Sequence, residues 1–231
     1  MNEKKEFINQ DNFKIPVSVV FLGPPASGKG TTASFLEQKL NIKSISPGNI
    51  FKNIRNNNNE LSKLVIDATK NGGLCPDWLT NELVKNESIK NINLGFNSIS
   101  LDGYPRTIDQ LNFLLKNFDV KMFVNSDTDF SKLKKMVVNR RNCKECKKVF
   151  STMYDFQCDK SNFEFCAKKS EANWEIRWDD TEEFFEKRYS VFKTETIPVI
   201  EKVKNFKNYF ELDLLNENNY KTIESVLTSS F

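Results

Sequence analysis

Histidine is absent from this chain, and its absence removes whole chemistries. A serine or cysteine hydrolase that relies on an imidazole base is excluded, and so is any metal centre ligated by histidine. Excess charge of one sign is also missing: 34 basic residues face 31 acidic ones, a net of +3 over 231 residues. That balance argues against a nucleic-acid coat and against an electrostatic membrane anchor, so each basic residue must be weighed at its own position. No apolar run is long enough to span a bilayer. The opening MNEKKEFINQDNFKIP lacks both the apolar centre of a secretory signal and the Arg-rich, acid-poor make-up of a transit peptide, so a cytoplasmic protein is expected. Cysteine is sparse, and four of the five fall between 143 and 166, unlike the even scatter of a secreted disulfide framework.

What is present is an alternation. Short apolar runs at 16–23, 98–103 and 120–125 end in turn or polar residues, and helical stretches at 28–40, 60–70, 77–86, 107–117 and 128–140 lie among them. Such alternation predicts an α/β fold, a parallel sheet with helices on both faces. Residues 179–203 predict one long helix, capped through Asp180 and Glu183 and kinked at Pro198. A last strand (209–213) and helix (217–227) close the chain. The Asn-rich run at 55–60 reads as a solvated loop, and 141–176 has no steady period, as expected of an excursion from the core.

The run GPPASGKGT, Gly23 to Thr31, has the spacing G-x-x-x-x-G-K, with a strand before it and an apolar-periodic helix after it. Glycines let the backbone wrap so that successive N–H groups face phosphate oxygens, the helix N-terminus adds partial positive charge, and Lys29 adds a full one. The run therefore predicts a nucleotide-binding phosphate loop. Farther on, SISLDGYPRTIDQL (98–111) ends an apolar strand in Asp102. An acid at the carboxyl end of a parallel strand beside such a loop suits the anchoring of Mg²⁺ ligands, whereas Asp-Gly alone is only a turn former.

Together these segments resemble the adenylate kinase family of nucleoside monophosphate kinases, of the long-lid type, from about residue 16 to 228. GPPASGKGTT is similar to its phosphate loop and LDGYPRTIDQ to its Asp-Gly-aromatic-Pro-Arg-Thr segment. GGLCPDWLTNELV (72–84) is similar to the stretch closing its monophosphate lobe. RWDD, with Arg188 eleven positions after Arg177, resembles its lid-exit arginine pair, and TIPVI (196–200) its Thr-x-Pro. The resemblance implies a five-stranded P-loop core over 16–45, 73–140 and 177–228, a monophosphate-binding lobe over 46–72, a lid over 141–176 and an N-terminal extension over 1–15. It implies transfer of a phosphoryl group from a Mg²⁺-bound triphosphate, ATP or GTP, to AMP by a monomer, with no nucleic acid and no membrane partner.

The site residues follow from the same resemblance. Pro25, Ala26, Ser27, Gly28, Lys29, Gly30, Thr31 and Thr32 would hold the donor phosphates. Arg140, Arg177 and Arg188 would converge on the transferring group, with Asp102 at the metal. Gly103 and Arg106 would meet the AMP phosphate, joined by Arg177 and Arg188, and Gln110 would read the adenine edge. Guanidinium forks suit this work because they bind phosphate bidentately and keep their charge.

Four positions depart from the family pattern. Pro47 and Lys52, in SISPGNIFK, stand where a threonine and an arginine usually shape the AMP pocket, and Asn49 stands for an aspartate. Met136, four before Arg140, stands for a base-stacking arginine and leaves the donor base open between ATP and GTP. A catalytically weakened nucleotide sensor or scaffold is the alternative that these departures raise. In the lid, Cys143, Cys146, Cys158 and Cys166 are expected to hold a structural Zn²⁺, although Phe163 occupies the usual place of the third cysteine; plain buried thiols are the second reading, and a redox relay, with no thioredoxin-like context around the CxxC, the third.

Overall fold

A computed structural model describes residues 14–57, 59–144, 149–153, 174–216 and 218–228. The central sheet is built from β1 (Ile15–Leu22), β2 (Ile42–Ile45), β3 (Ser98–Asp102), β4 (Phe118–Val120), β5 (Phe123–Ser126) and β9 (Tyr209–Leu212). Its order is β2-β3-β1-β5-β9, every pairing parallel, with β4 as a sixth strand beside β1. The single strand expected over 120–125 is thus two. Val120 pairs with Val17 and Phe123 with Val20, and the Lys121 N–H and Met122 carbonyl join β1 between them, at 2.9 and 2.8 Å.

β1 carries an irregularity of its own, a register shift against β3 between Val17 and Val19. An extra residue flips the alternation of side chains. Accordingly Ile15 and Val17 share one core with Val20 and Leu22, while Val19 and Phe21 join the other. The first core packs the sheet on Val84, Leu111, Leu114, Val199 and Val203; the second packs it on Ala33, Leu36, Ile223 and Leu227. Both faces of β1 are therefore covered by helices, which is why its sequence is nearly all apolar.

The helices on these faces include α1 (Lys29–Leu40), α4 (Asp77–Asn93), α5 (Ile108–Asn117), α8 (Ile197–Val203) and α9 (Asn218–Thr228), while α6 (Phe130–Val138) packs its Leu133 and Val137 on Phe185. α2 (Pro47–Arg55) and α3 (Glu60–Thr69) stand apart over a small core of Phe51, Val65, Cys75 and Leu79. The Asn-rich run between them is more than a solvated loop. Asn59 caps α3, its side chain accepting from the Ser62 N–H at 2.9 Å while the Ser62 hydroxyl accepts from the Asn59 N–H.

The long helix predicted over 179–203 begins later and is interrupted. α7 (Glu182–Val191) is capped by Thr181, which accepts from the Phe184 N–H at 3.2 Å, and not by Asp180, whose carboxylate is taken by Arg140. A π-helical turn, Phe192–Thr196, precedes α8 (Ile197–Val203). Pro198 has no N–H to offer the Thr194 carbonyl, and the wider turn, in which the Ile197 N–H reaches back to the Phe192 carbonyl, absorbs that loss without a break. Beyond α6 the chain enters a small antiparallel sheet, β6 (Arg140–Cys143) between β7 (Val149–Ser151) and β8 (Trp174–Glu175).

Candidate active site

The turn from β1 into α1 is held by steric necessity. Gly23 (φ 128°) and Gly28 (φ 88°) sit in the left-handed region, and β-carbons there would stand 2.9 Å from the Ser126 carbonyl oxygen and 2.5 Å from that of Leu214. The Ser126 hydroxyl donates to the Ser27 carbonyl at 2.8 Å, tying the loop to the end of β5. Lys29 folds back into its own loop, its ammonium donating to the Pro24 carbonyl at 2.6 Å and to the Ser27 hydroxyl at 3.2 Å. Burial lowers its pKa from 10.5 to about 8. Asp102 counters that shift, and the Arg106, Arg188 and Arg140 charges add to it.

The arginines that crowd Lys29 come from separate elements. Arg106 follows β3 and donates from Nε to the Gly103 carbonyl at 2.8 Å; burial lowers its pKa against the pull of Asp102. Its backbone is clamped on both sides. The Arg106 N–H donates to Gln110 Oε1 at 2.8 Å, and its carbonyl accepts from the Thr196 hydroxyl at 3.2 Å. Arg188, on α7, has its pKa lowered to about 10 by burial and by Arg106, with Asp179 opposing.

Two adjacent carboxylates organise the rest. Asp179 accepts from Arg177 Nε and a terminal Arg177 nitrogen at 2.9 and 2.7 Å, and from Arg188 at 3.3 Å. Burial would raise the Asp179 pKa, but Arg177, then Arg188 and Arg140, hold it below the usual carboxylate value. Burial likewise lowers the Arg177 pKa, and the Asp179 hydrogen bond and charge more than reverse it. Asp180 takes Arg140 in a two-pronged pair, from Nε at 2.9 Å and from a terminal nitrogen. Sequence reasoning marks RWDD for its arginine, passes over Asp179 and takes Asp180 only as a helix cap. Their only signal was position, two and three residues after Arg177.

The structure thus brings Lys29, Asp102, Arg106, Arg140 and Arg188 within electrostatic reach of one another, with Arg177 joined through Asp179. Five cations face three carboxylates, Asp102, Asp179 and Asp180, an excess that suits a polyanionic ligand. The Asp102 carboxylate makes no hydrogen bond or ion pair among the described residues and lies 3.1 Å from where a β-carbon on Gly30 would stand. A hard oxygen donor left open beside the phosphate loop fits Mg²⁺ or its water ligands.

Other expected residues stand farther out. Pro47 is buried as the first residue of α2, where its fixed φ suits a helix start, and Lys52 is exposed with no hydrogen bond or ion pair among the described residues. Met136 is half-buried on α6. Gln110 is only 2 % exposed, and its Nε2 donates to Asp77 Oδ1 at 2.7 Å. Of the four lid cysteines, Cys143 is buried at the end of β6, and Cys146, Cys158 and Cys166 lie outside the described residues. Among the described residues no group of three or more acids or thiols is placed to hold a metal, and no helix is long and apolar enough to cross a membrane.

A parallel sheet that ends in a glycine loop around one lysine, faced by a ring of arginines, defines a P-loop phosphotransferase. Residues 21–208 match the family described as adenylate kinase. The adenylate kinases of Rickettsia akari and Rickettsia rickettsii are 33 % and 35 % identical to this chain over 193 and 196 residues, covering 83 % of it and 89 % of each relative. That of Thermosipho melanesiensis is 35 % identical over 208 residues, covering 85 % and 92 %. The chain belongs to the adenylate kinase family and is a phosphotransferase acting on nucleoside monophosphates.

Proposed function

We propose that this chain transfers the terminal phosphoryl group of Mg²⁺-bound ATP to AMP, giving two ADP, and that one chain suffices. The observation that carries the reading is the convergence of Arg106, Arg140 and Arg188 on Lys29 with too few carboxylates to balance them. Phosphoryl transfer needs in-line placement and neutralisation of spreading charge more than it needs covalent help, and the clustered cations suit the second need. Lys29 and the loop amides hold the donor phosphates, and Asp102 orients the metal's waters. Mg²⁺, when bound, neutralises charge on the β- and γ-oxygens. Arg106 grips the AMP phosphate, Arg140, Arg177 and Arg188 close on the group in transit, and Gln110 reads the adenine edge.

The monophosphate lobe is residues 46–72 and the lid 141–176 on this reading, and motion of the two limits turnover. GTP competes as donor because Met136 offers an apolar surface without base-specific hydrogen bonds. The four-cysteine Zn²⁺ site rests on the clustering of those residues in sequence. A coupled assay of ADP formation, with AMP and each of ATP, GTP, CTP and UTP, tests the reading. Turnover with ATP is expected. Nucleotide binding by thermal shift with no turnover on any donor overturns it in favour of a sensor.

A further inference from the structure

Asp77, the first residue of α4, joins no step of the reaction described so far, yet it accepts two short hydrogen bonds from the start of α5. The Thr107 hydroxyl donates to Oδ2 and the Gln110 amide to Oδ1, each at 2.7 Å. Thr107 in turn accepts from the Gln110 N–H at 3.2 Å, and Gln110 Oε1 accepts from the Arg106 N–H at 2.8 Å. The two groups facing the carboxamide are opposite in kind. A backbone N–H can only donate and an ionised carboxylate can only accept, so one orientation of the amide satisfies both and its flip satisfies neither.

A carboxamide has four hydrogen-bonding valences, and its partners among the described residues use two. What is left is one lone pair on Oε1 and one N–H on Nε2, an acceptor beside a donor, in a side chain only 2 % exposed. Unmet valences on a buried polar group are costly, and a ligand that supplies both partners removes that cost. Adenine presents the complement along its Watson–Crick edge, an amino donor at position 6 and an acceptor at N1. A 6-oxopurine presents the reverse and would fit only the flipped amide.

We infer that Asp77 is a specificity-determining positioning residue: by fixing the orientation of the Gln110 amide it selects an adenine monophosphate over a 6-oxopurine monophosphate. The inference rests on the proposed role of Gln110 as the reader of the acceptor base. Two bonds decide the orientation, and removing one of them leaves Arg106 to hold the amide alone.

The test compares kcat/KM for AMP and for IMP, which differ at position 6 and N1, in the full chain, with Asp77→Asn as the principal variant. An asparagine amide can donate or accept, so it tolerates either orientation of Gln110 at nearly unchanged size. The wild type is expected to prefer AMP, and Asp77→Asn to lose about tenfold of that preference, with the KM for ATP within about twofold. A purely structural role would lower both monophosphates together and leave their ratio alone. Asp77→Ser, whose hydroxyl also donates or accepts, carries the same test should the asparagine variant fail to fold. Gln110→Leu separates the two readings. Loss of preference there with none in the Asp77 variants overturns the role of Asp77 alone; preference retained in Gln110→Leu overturns base reading by Gln110 and this inference with it. A wild type indifferent to IMP overturns it as well.

Discussion

Raising the pH from 7 to 9 should weaken binding of a Mg²⁺-bound, non-hydrolysable triphosphate about tenfold. The perturbation acts on Lys29, whose pKa burial depresses from 10.5 to about 8 in the empty site. At pH 7 about ten in eleven molecules carry the ammonium, and at pH 9 about one in eleven, a tenfold change equal to ~1.4 kcal/mol. Phosphate oxygens around Lys29 restore its pKa toward the ordinary value, so the bound form keeps its proton through pH 9 and binding takes up close to one proton there. The ligand's own phosphates are ionised throughout most of this range, since their last pKa lies near 6. Arg188, at about 10, begins to contribute only above it. Calorimetry in two buffers of different ionisation enthalpy counts the proton directly. A flat affinity between pH 7 and 9, or the same slope in Lys29→Met, would refute the reasoning.

Lys29→Met itself should cut turnover roughly a hundredfold or more, because a fixed charge at the transferring group is lost. The empty variant should melt at an equal or higher temperature. Holding the ammonium in this site costs on the order of 3 kcal/mol at neutral pH, a cost relieved between pH 8 and 10.5, where the unfolded chain keeps the proton the folded chain has shed. Asp179→Asn should lower kcat about tenfold or more by releasing Arg177 and Arg188 from their shared anchor. The same variant should lose part of the wild type's acid unfolding in a pH titration by circular dichroism. Asp179 has its pKa lowered, so its stabilisation is complete above the ordinary 3.8 and disappears as pH falls through the depressed value. Lys52→Arg should lower the KM for AMP by roughly three- to tenfold, since a fork binds phosphate at two points where an ammonium binds at one. Metal analysis of the purified chain should find about one zinc, and its chelation should lower the melting temperature.

The phosphate loop was legible in the sequence because its constraints are local. Gly23 and Gly28 are demanded by a backbone that passes within van der Waals reach of Ser126 and Leu214, and a fixed spacing records that demand. Features settled by a distant partner were not legible. The shift between Val17 and Val19 depends on pairing with β3, and the break at Lys121 and Met122 depends on β1 accepting two short strands along one edge. Asp180 met every local rule for a helix cap and was claimed instead by Arg140, forty residues earlier. A buried guanidinium beside a carboxylate outweighs one capping bond, so Thr181 took the cap.

The same competition explains how a site with surplus positive charge stays assembled when empty. Asp179 and Asp180 are 7 % and 6 % exposed, and each receives a guanidinium in the two-pronged geometry that a phosphate would also use. On the proposed reading they are one side of an exchange, because a phosphoryl group entering among Arg140, Arg177 and Arg188 would compete with carboxylates already in place. Arg140, Arg177 and Arg188 are thereby held in place although burial, and after it the charges of the neighbouring cations, depress the pKa of Arg188 and Lys29. Among the described residues Lys29 has no such carboxylate in direct contact. It is buried and rests on a carbonyl and a hydroxyl of its own loop, both weak partners for a charge, so on the proposed reading its proton, rather than an arginine's, should respond to the arrival of a nucleotide.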